Sequence, residues 1–396
     1  MKKLFFTLLA ALVLGTSAKG HADDSVTLYG IIDMGIMYTK TEHNLPGDRD
    51  GNTLIGIASG VQSGSRFGFR GVSELGNNTS VKFVLENGFD PGNGTFQQGG
   101  RLFGRQSTIG IANSNIGQFD IGRQINLASN YFLPIDPFRE GFGQANIGAT
   151  FGSANTLRYS NMLLAQTASV AGISLGAGYS FATGMTSIYV DNGSCHLDGC
   201  AISNNAYQYS AANNLRALTL GMKYQQGPVY LAAAFDQIYG PSDIPNGPPP
   251  SNPTSWMIGG SYDFNVVAVS GAFGQTRNGI FMGQSQGTGS VSYPNLSNIT
   301  QGANIMFESD ASLSSYMMGL NIPLSSSSIL ASWQMNQPTN AFKNEARSTQ
   351  SIYSVGYLYN FSKRTNLYAY VSYANNFAMI DTAKSTVFAV GLRHQF

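Results

Sequence analysis

The chain ends on "STVFAVGLRHQF", Ser385 to Phe396. Phe388, Val390, Leu392, His394 and Phe396 share one parity, while Val387, Ala389, Gly391, Arg393 and Gln395 share the other. Side chains that alternate in this way belong to a strand, because successive Cβ atoms point to opposite faces. One face is large and apolar with a single histidine. The other is small or polar. The apolar face can meet a protein core or lipid, and the rest of the chain has to decide which.

The same alternation recurs from end to end. It is clear in "VTLYGIIDMGIMYTK" (26–40), "GSRFGFRGVSEL" (64–75), "SVKFVLENGF" (80–89), "SWMIGGSYDF" (255–264), "SIYSVGYLYNFS" (351–362) and "TNLYAYVSYANN" (365–376). In 255–264, Trp256, Ile258, Tyr262 and Phe264 share a face with Gly260, opposite Met257, Gly259, Ser261 and Asp263. A helix would space its apolar residues three and four apart. Here they are two apart.

The connections alternate in length. Short turns such as "GNNT" (76–79), "NSNIG" (113–117), "QGP" (226–228) and "SKR" (362–364) mark one end of the strands. Long polar segments mark the other: 41–63, 91–103, 128–154, 183–213, 240–254, 278–313, 338–350 and 377–384. Long structureless loops are uncommon in compact soluble domains, yet here they fall on every second connection. That regularity predicts an all-β, antiparallel, up-and-down barrel of about sixteen strands that crosses a membrane, with short periplasmic turns and long extracellular loops.

Composition agrees. Charged residues make up 11%, far below the roughly 25% usual for soluble domains. Hydrophobic residues reach only 42%, with no unbroken apolar run of about 20 residues for a spanning helix. The inward parity carries Ser, Gly, Asn, Lys, Arg and Asp, which cannot form a dry core without many partners. An apolar outside around a polar inside is stable only in lipid, and only if the sheet closes, because hydrocarbon leaves an open edge unpaired.

The start of the chain predicts the compartment. "MKKLFFTLLAALVLGTSAKGHA" has two lysines, an apolar core from Leu4 to Leu14 and then small residues. It reads as a secretory leader, residues 1–22, cleaved after Ala22, with Ala18 as a rival site. The barrel domain is then 23–396. Loss of Lys2, Lys3 and Lys19 with the leader leaves a near-neutral mature chain, so no nucleic-acid partner is expected. Cys195 and Cys200 lie in "GSCHLDGCAIS". In an exported protein a disulfide is their simplest state. The spacing with His196 and Asp198 also offers donors for a metal, which loop context and lone pairing disfavour.

The stretches "SVTLYGIIDMGIMY", "GSRFGFRGVSELGN", "GRQSTIGI", "GQFDIGRQ", "LRYSN" and "VGLRHQF" resemble the Gram-negative general diffusion porins, in their beta-proteobacterial branch. The similarity covers essentially the whole mature chain. It implies a sixteen-stranded barrel of the outer membrane, usually a homotrimer in contact with outer-membrane lipids. It implies a water-filled pore in each subunit for passive diffusion of small hydrophilic solutes and ions, without a cofactor. It also implies a long third loop that folds inward as a constriction, and a terminal aromatic, here Phe396, read as an assembly signal by the outer-membrane insertion machinery.

The third long loop is 128–154, where the resemblance implies that Asp136 and Glu140 face the pore axis. Parity places basic residues on the wall opposite. Arg66 and Arg70 share the inward parity of Gly68, Lys82 opposes Val81, Phe83 and Leu85, and Arg158 opposes Leu157 and Tyr159. An arginine facing lipid at mid-membrane costs roughly 2–4 kcal/mol. Arg105 and Arg123 share parity with outward residues, Ile109 and Ile111 for the first and Phe119 and Ile121 for the second. A bulge, a protein cover or a place at the rim would resolve this. The resemblance implies that both point into the channel. Rows of opposite charge would set a transverse field and weak ion selectivity.

Two rival functions compete with this reading. An enzyme on the barrel needs a nucleophile beside a base, and the four histidines flank no evident activated serine. A solute-specific channel on the same barrel would need an aromatic track, to which Tyr131, Phe132, Phe138 and Phe142 are candidates. Their alternative role is to pin the loop to the wall.

Overall fold

The computed structural model describes residues 25–42, 53–185, 187–189, 201–202, 215–240, 252–281, 284, 305–340 and 347–396. The proposed leader and both cysteines lie outside these residues. Sixteen strands build the barrel wall in chain order, and two short strands, Ser187–Tyr189 and Ala201–Ile202, add to the sheet beside Ile305–Phe307. The sixteen are β1 (Ser25–Glu42), β2 (in two segments, Thr53–Ser59 and Arg66–Gly76), β3 (Thr79–Gly88), β4 (Gln106–Asn113), β5 (Gly117–Ile125), β6 (Arg158–Thr167), β7 (Ile173–Ser180) and β8 (Arg216–Gln226). They continue as β9 (Val229–Tyr239), β10 (Thr254–Asp263), β11 (Ala268–Phe281), β12 (Ile305–Pro323), β13 (Ser327–Asn340), β14 (Gln350–Asn360), β15 (Thr365–Asn375) and β16 (Lys384–Gln395). Each pairs antiparallel with its sequence neighbours, and β16 returns to β1 in an unbroken register from Ile31↔Gln395 to Glu42↔Lys384. The barrel is therefore closed, as the final strand predicted, and no edge is left to hydrocarbon.

The two faces divide as the parity requires. Leu28, Ile36, Ile57, Ile109, Met318, Val355 and Phe388 are exposed on the outside. Their alternating neighbours Asp33, Asp120, Asp236, Gln334, Ser354 and Ser372 are buried inside. The terminal Phe396 extends the closing ladder, exchanging two backbone hydrogen bonds with Gly30 at 3.1 Å each. Its ring occupies the space that a Cβ on residue 30 would need, 2.3 Å from the nearest ring carbon.

Strand β2 is broken. β1 pairs with Ser59 at Met34 and with Arg66 at Ile31, so residues 60–65 leave the ladder as a wide bulge. Ser65 restores the lost pairing: its hydroxyl accepts the Asp33 N–H at 3.0 Å and donates to the Asp33 carbonyl at 3.1 Å.

The third long connection, 126–157, lies inside the barrel. It opens with helix α1 (Leu127–Phe132), capped by the Asn126 side chain, which accepts the Ser129 N–H at 3.2 Å. Leu127 and Tyr131 pack on β7 and β8, and the Tyr230 hydroxyl of β9 donates to the Tyr131 carbonyl at 2.8 Å. Further on, Phe138 and Phe142 pack with Leu330 of β13 and Tyr368 and Tyr370 of β15. The Phe142 ring makes edge contacts with those two tyrosines at 5.5 and 5.2 Å. The Gln144 amide donates to Ser372 at 3.0 Å, the Thr150 hydroxyl to Gln334 at 2.9 Å and the Gln350 amide to the Ala149 carbonyl at 3.3 Å. The tip reaches the break in β2, where the Phe142 N–H donates to the Val61 carbonyl at 2.6 Å. The loop thus lines the inner wall of β7–β16 and leaves the lumen beside β1–β6.

Candidate functional site

Both stems of the inner loop are tied to one buried carboxylate. The Asp236 Oδ1 accepts from the Asn126 amide at 3.2 Å and from the Tyr159 hydroxyl at 3.0 Å, while the Asn126 amide also donates to the Ser153 carbonyl at 3.0 Å. Tyr159 is fully buried inside the barrel, which corrects its expected outward place. The cause is local. Asn161 adopts a left-handed conformation (φ 49°), and the β5–β6 register slips between Gly122 and Gln124, so 159 and 162 both turn inward.

The slip leaves Arg123 on its own parity: the β4–β5 register runs unbroken through Ile109↔Ile121, Thr108↔Gly122 and Ser107↔Arg123, and the extra residue lies in β6. Gly122 has φ +129°, and a Cβ there would lie 2.0 Å from the Ser107 carbonyl oxygen. Only glycine fits this bulge. Beyond it, the Arg123 Nε donates to the Gly104 carbonyl and its Nη1 to the Ser160 hydroxyl, each at 2.8 Å. Arg105 does escape its parity: it precedes the first residue of β4. Its Nε pairs with Glu86 Oε1 at 2.7 Å.

Glu86 is the centre of the group. Its second oxygen accepts from the Tyr29 hydroxyl at 3.0 Å. Arg66 and Arg158 both lie within electrostatic reach of Glu86 and Arg105. The Arg158 Nε donates to the Arg105 carbonyl at 2.9 Å and its Nη1 to the Thr156 carbonyl at 2.7 Å. Of the residues singled out from sequence, Arg66, Arg105 and Arg158 therefore gather around Glu86, while Arg123 is held by Gly104 and Ser160 with Arg101 as a charged neighbour. Arg70 stands one step toward the periplasm, its guanidinium 5.4 Å from the Tyr29 ring centre. Lys82 stands about 14 Å from Glu86 along the strand, at 3.4 Å per residue. Its ammonium donates to Gln118 at 2.7 Å and pairs with Asp120 at 3.2 Å.

The acidic side differs from the expectation. Asp136 does not face the pore: it is 1% exposed and accepts the backbone N–H groups of Phe138, Glu140 and Ile147 at 2.8–3.0 Å. It folds the loop tip rather than lining the channel. Burial pushes its carboxyl up to about 6 despite those three donors. Glu140 is also buried, and burial together with nearby Asp136 pushes it well above the ordinary carboxylate range, with Arg158 as its cationic neighbour. On the loop tip, the exposed charge is Arg139. It lies within electrostatic reach of Arg393 of β16, which pairs with Asp33 across the closing ladder. Asp33 is fully buried and accepts from the Tyr368 hydroxyl at 2.6 Å and the Ser63 N–H at 2.5 Å.

Tyr29, Arg139 and Arg393 were not singled out from sequence. Parity alone puts Tyr29 beside Asp33 and Arg393 opposite the apolar row of β16, so two of the three could have been found. Tyr131, Phe132, Phe138 and Phe142 are each 0–2% exposed, so they pin the loop and do not line the lumen. Among the described residues no cluster of His, Cys, Asp and Glu is arranged to hold a metal.

A closed barrel with a lipid-facing apolar wall and a charged, loop-narrowed lumen defines a membrane channel. The Gram-negative porin family model matches residues 8–378. An outer membrane porin protein of Bordetella pertussis is 42% identical over 404 residues, with both chains covered completely. Outer membrane porin protein 32 of Delftia acidovorans is 29% identical over 286 residues, covering 70% of each chain. Among solved structures, an anion-selective porin from Comamonas acidovorans superposes with a TM-score of 0.66 at 22% identity, covering 94% of this chain and 100% of that one. The chain belongs to the Gram-negative porin family. It is an outer-membrane porin, a water-filled channel for passive diffusion of small hydrophilic solutes and ions.

Proposed function

We propose that this porin passes anions in preference to cations, and that the selecting level is the wall around Glu86. The observation that carries this is the imbalance of charge. Arg66, Arg105 and Arg158 converge there, with Arg393 on the same side, one strand beyond β1, and Arg139 of the loop tip near Arg393, while Glu86 is the carboxylate bonded among the three wall arginines. Asp33 and Asp136 are buried and hydrogen-bonded, and Glu140 is buried away from the lumen. Guanidinium groups cannot discharge at physiological pH. A fixed positive potential in a narrow, water-filled passage concentrates anions and repels cations. Segment 128–154 is the constriction in this reading, through Arg139 at its tip rather than through Asp136. The name of the Comamonas structure agrees in kind. The test is the zero-current potential of the refolded protein in a planar bilayer under a potassium chloride gradient. A chloride-favouring sign is expected, and a potassium-favouring sign overturns the proposal.

We also propose that the mature porin starts after Ala22, assembles as a homotrimer and uses Phe396 as its insertion signal. The exposed apolar side chains on β1 and β2, including Val26, Leu28 and Ile57, offer a flat face for subunit contact. Mass determination of the detergent-extracted protein checks the oligomer: three chains are expected, and a monomer contradicts it.

A further inference from the structure

The two oxygens of Glu86 have unlike partners. Oε1 takes the Arg105 Nε at 2.7 Å, and Oε2 takes the Tyr29 hydroxyl at 3.0 Å. A guanidinium is the stronger partner for a carboxylate, since the bond is charge-assisted and can be doubled. Arg66 and Arg158 both feel the Glu86 charge, yet among the described residues Arg105 alone forms an ion pair with it. The other two donate to backbone carbonyls, the Arg66 Nε to Gly64 at 2.8 Å and Arg158 to Arg105 and Thr156. A neutral phenol thus holds an oxygen for which two guanidinium groups compete.

The ladder explains how the phenol reaches that oxygen. Tyr29 pairs with Gly68 and Gly68 with Glu86, so the three form one inward rung over β1, β2 and β3. Its ends stand two strand spacings apart, about 10 Å. Residue 68 has no side chain, and the Tyr29 ring crosses above it: a Cβ there would lie 2.9 Å from both the ring Cζ and the hydroxyl oxygen. The next inward positions of β2 are Arg66, one step toward the extracellular side, and Arg70, one step toward the periplasm. The ring therefore stands between two arginines, with the Arg70 guanidinium 5.4 Å from its centre. A glycine on β2 and a tyrosine on β1 together deliver one hydroxyl to a carboxylate on β3.

We propose that Tyr29 is a positioning residue for ion selection: by occupying Glu86 Oε2 it keeps the terminal nitrogens of Arg66 free for passing anions. The inference rests on the anion preference proposed above. Loss of the hydroxyl leaves a largely buried carboxylate one partner short, a state that is unfavourable until another donor takes its place. Arg66 is the guanidinium beside the ring on that face. Rotation of Glu86 toward it changes no net charge. It does convert a free guanidinium into a closed ion pair and turn carboxylate oxygen toward the lumen. A passing chloride then loses donors at contact, where charge counts most, because the interaction falls with distance and is screened by salt.

The experiment measures the zero-current potential in a planar bilayer, under a potassium chloride gradient, for the parent, Y29F, E86Q and Y29F/E86Q. Stepwise open-channel currents show that each variant is folded. The chloride-to-potassium permeability ratio should fall roughly twofold in Y29F, the size expected for one elementary charge brought to about 8 Å from an ion in water. E86Q should raise the ratio. In the E86Q background Y29F should change nothing, because no carboxylate is left to turn. A tyrosine that merely packs the wall would lower the ratio by the same factor in both backgrounds, and that result overturns the proposal. So does a Y29F channel equal to a chloride-favouring parent, which leaves the anion preference itself standing. A potassium-favouring parent overturns both.

Discussion

The two sides of the lumen are built differently. The six strands β1–β6 carry Arg66, Arg70, Lys82, Glu86 and Asp120 on their inward face, which borders the lumen. The ten strands β7–β16 turn mostly small or neutral residues inward, such as Ser174, Ala217, Ala232, Ser255, Ser354 and Ser372, and they carry the loop. Small side chains let the loop approach the wall closely, and hydroxyls supply the partners its backbone needs. Charge is therefore kept where solvent can hydrate it and excluded where protein covers it. Among the exceptions, Asp236 ties down the loop stem through Asn126, and Asp33 holds the seat of the loop tip by joining Ser63 in the break of β2 to Tyr368 of β15.

The contrast can be broken at several places. Excision of 127–156 with a short linker removes the cover from the second wall, and single-channel conductance should rise severalfold with a weaker ion preference. Conductance left at the parent value would mean that the loop does not narrow the pore. A smaller change, F142A, empties the seat between Tyr368 and Tyr370. It should cost about 3 kcal/mol, read as a lower unfolding temperature and a noisier current, and it should leave the sign of the zero-current potential alone. On the open wall, R66A/R158A should move the zero-current potential toward potassium by a clearly measurable amount while the protein remains folded.

The smallest expected effect is that of pH. Burial holds Asp136 and Glu140 above their ordinary values, so both favour the protonated form in the folded loop. Their contribution to stability is complete below the unfolded carboxylate range, and for Asp136 it is lost as pH rises through about 6. Acidification from pH 8 to pH 5 should therefore strengthen the anion preference slightly by removing negative charge from the loop tip. E140Q should reproduce part of that gain at pH 8 and blunt the pH response. An unchanged response in E140Q would exclude Glu140 as its source.

Much of this architecture was legible in the sequence because a strand writes its orientation in a period of two. Strand positions, the alternation of turn and loop, the inward places of Arg66 and Lys82 and the closure at Phe396 all followed from parity. Bulges do not announce themselves in that period. Tyr159 turns inward because Asn161 adds a residue to β6, and Arg123 keeps the parity of Ile121, met there by Gly104 and Ser160. The break at 60–65 left no apolar signal either, since its purpose is to receive Phe142 from a segment distant in sequence. Asp136 was misread for another reason. A loop has no period, so an acid there can point to water or to the backbone N–H groups of its own turn, and the turn needed an acceptor.

Thiol accessibility compares the two walls most directly. In a chain carrying C195S/C200S, Val84→Cys places a thiol on the inward face of β3, opposite Arg70. Ser354→Cys places one under the loop, where the parent residue is 3% exposed. A negatively charged thiol reagent added during a bilayer recording should cut the current through Val84→Cys and leave Ser354→Cys unchanged. Equal block of both, or block of Ser354→Cys alone, would contradict a lumen that runs along β1–β6 with the opposite wall sealed by the loop.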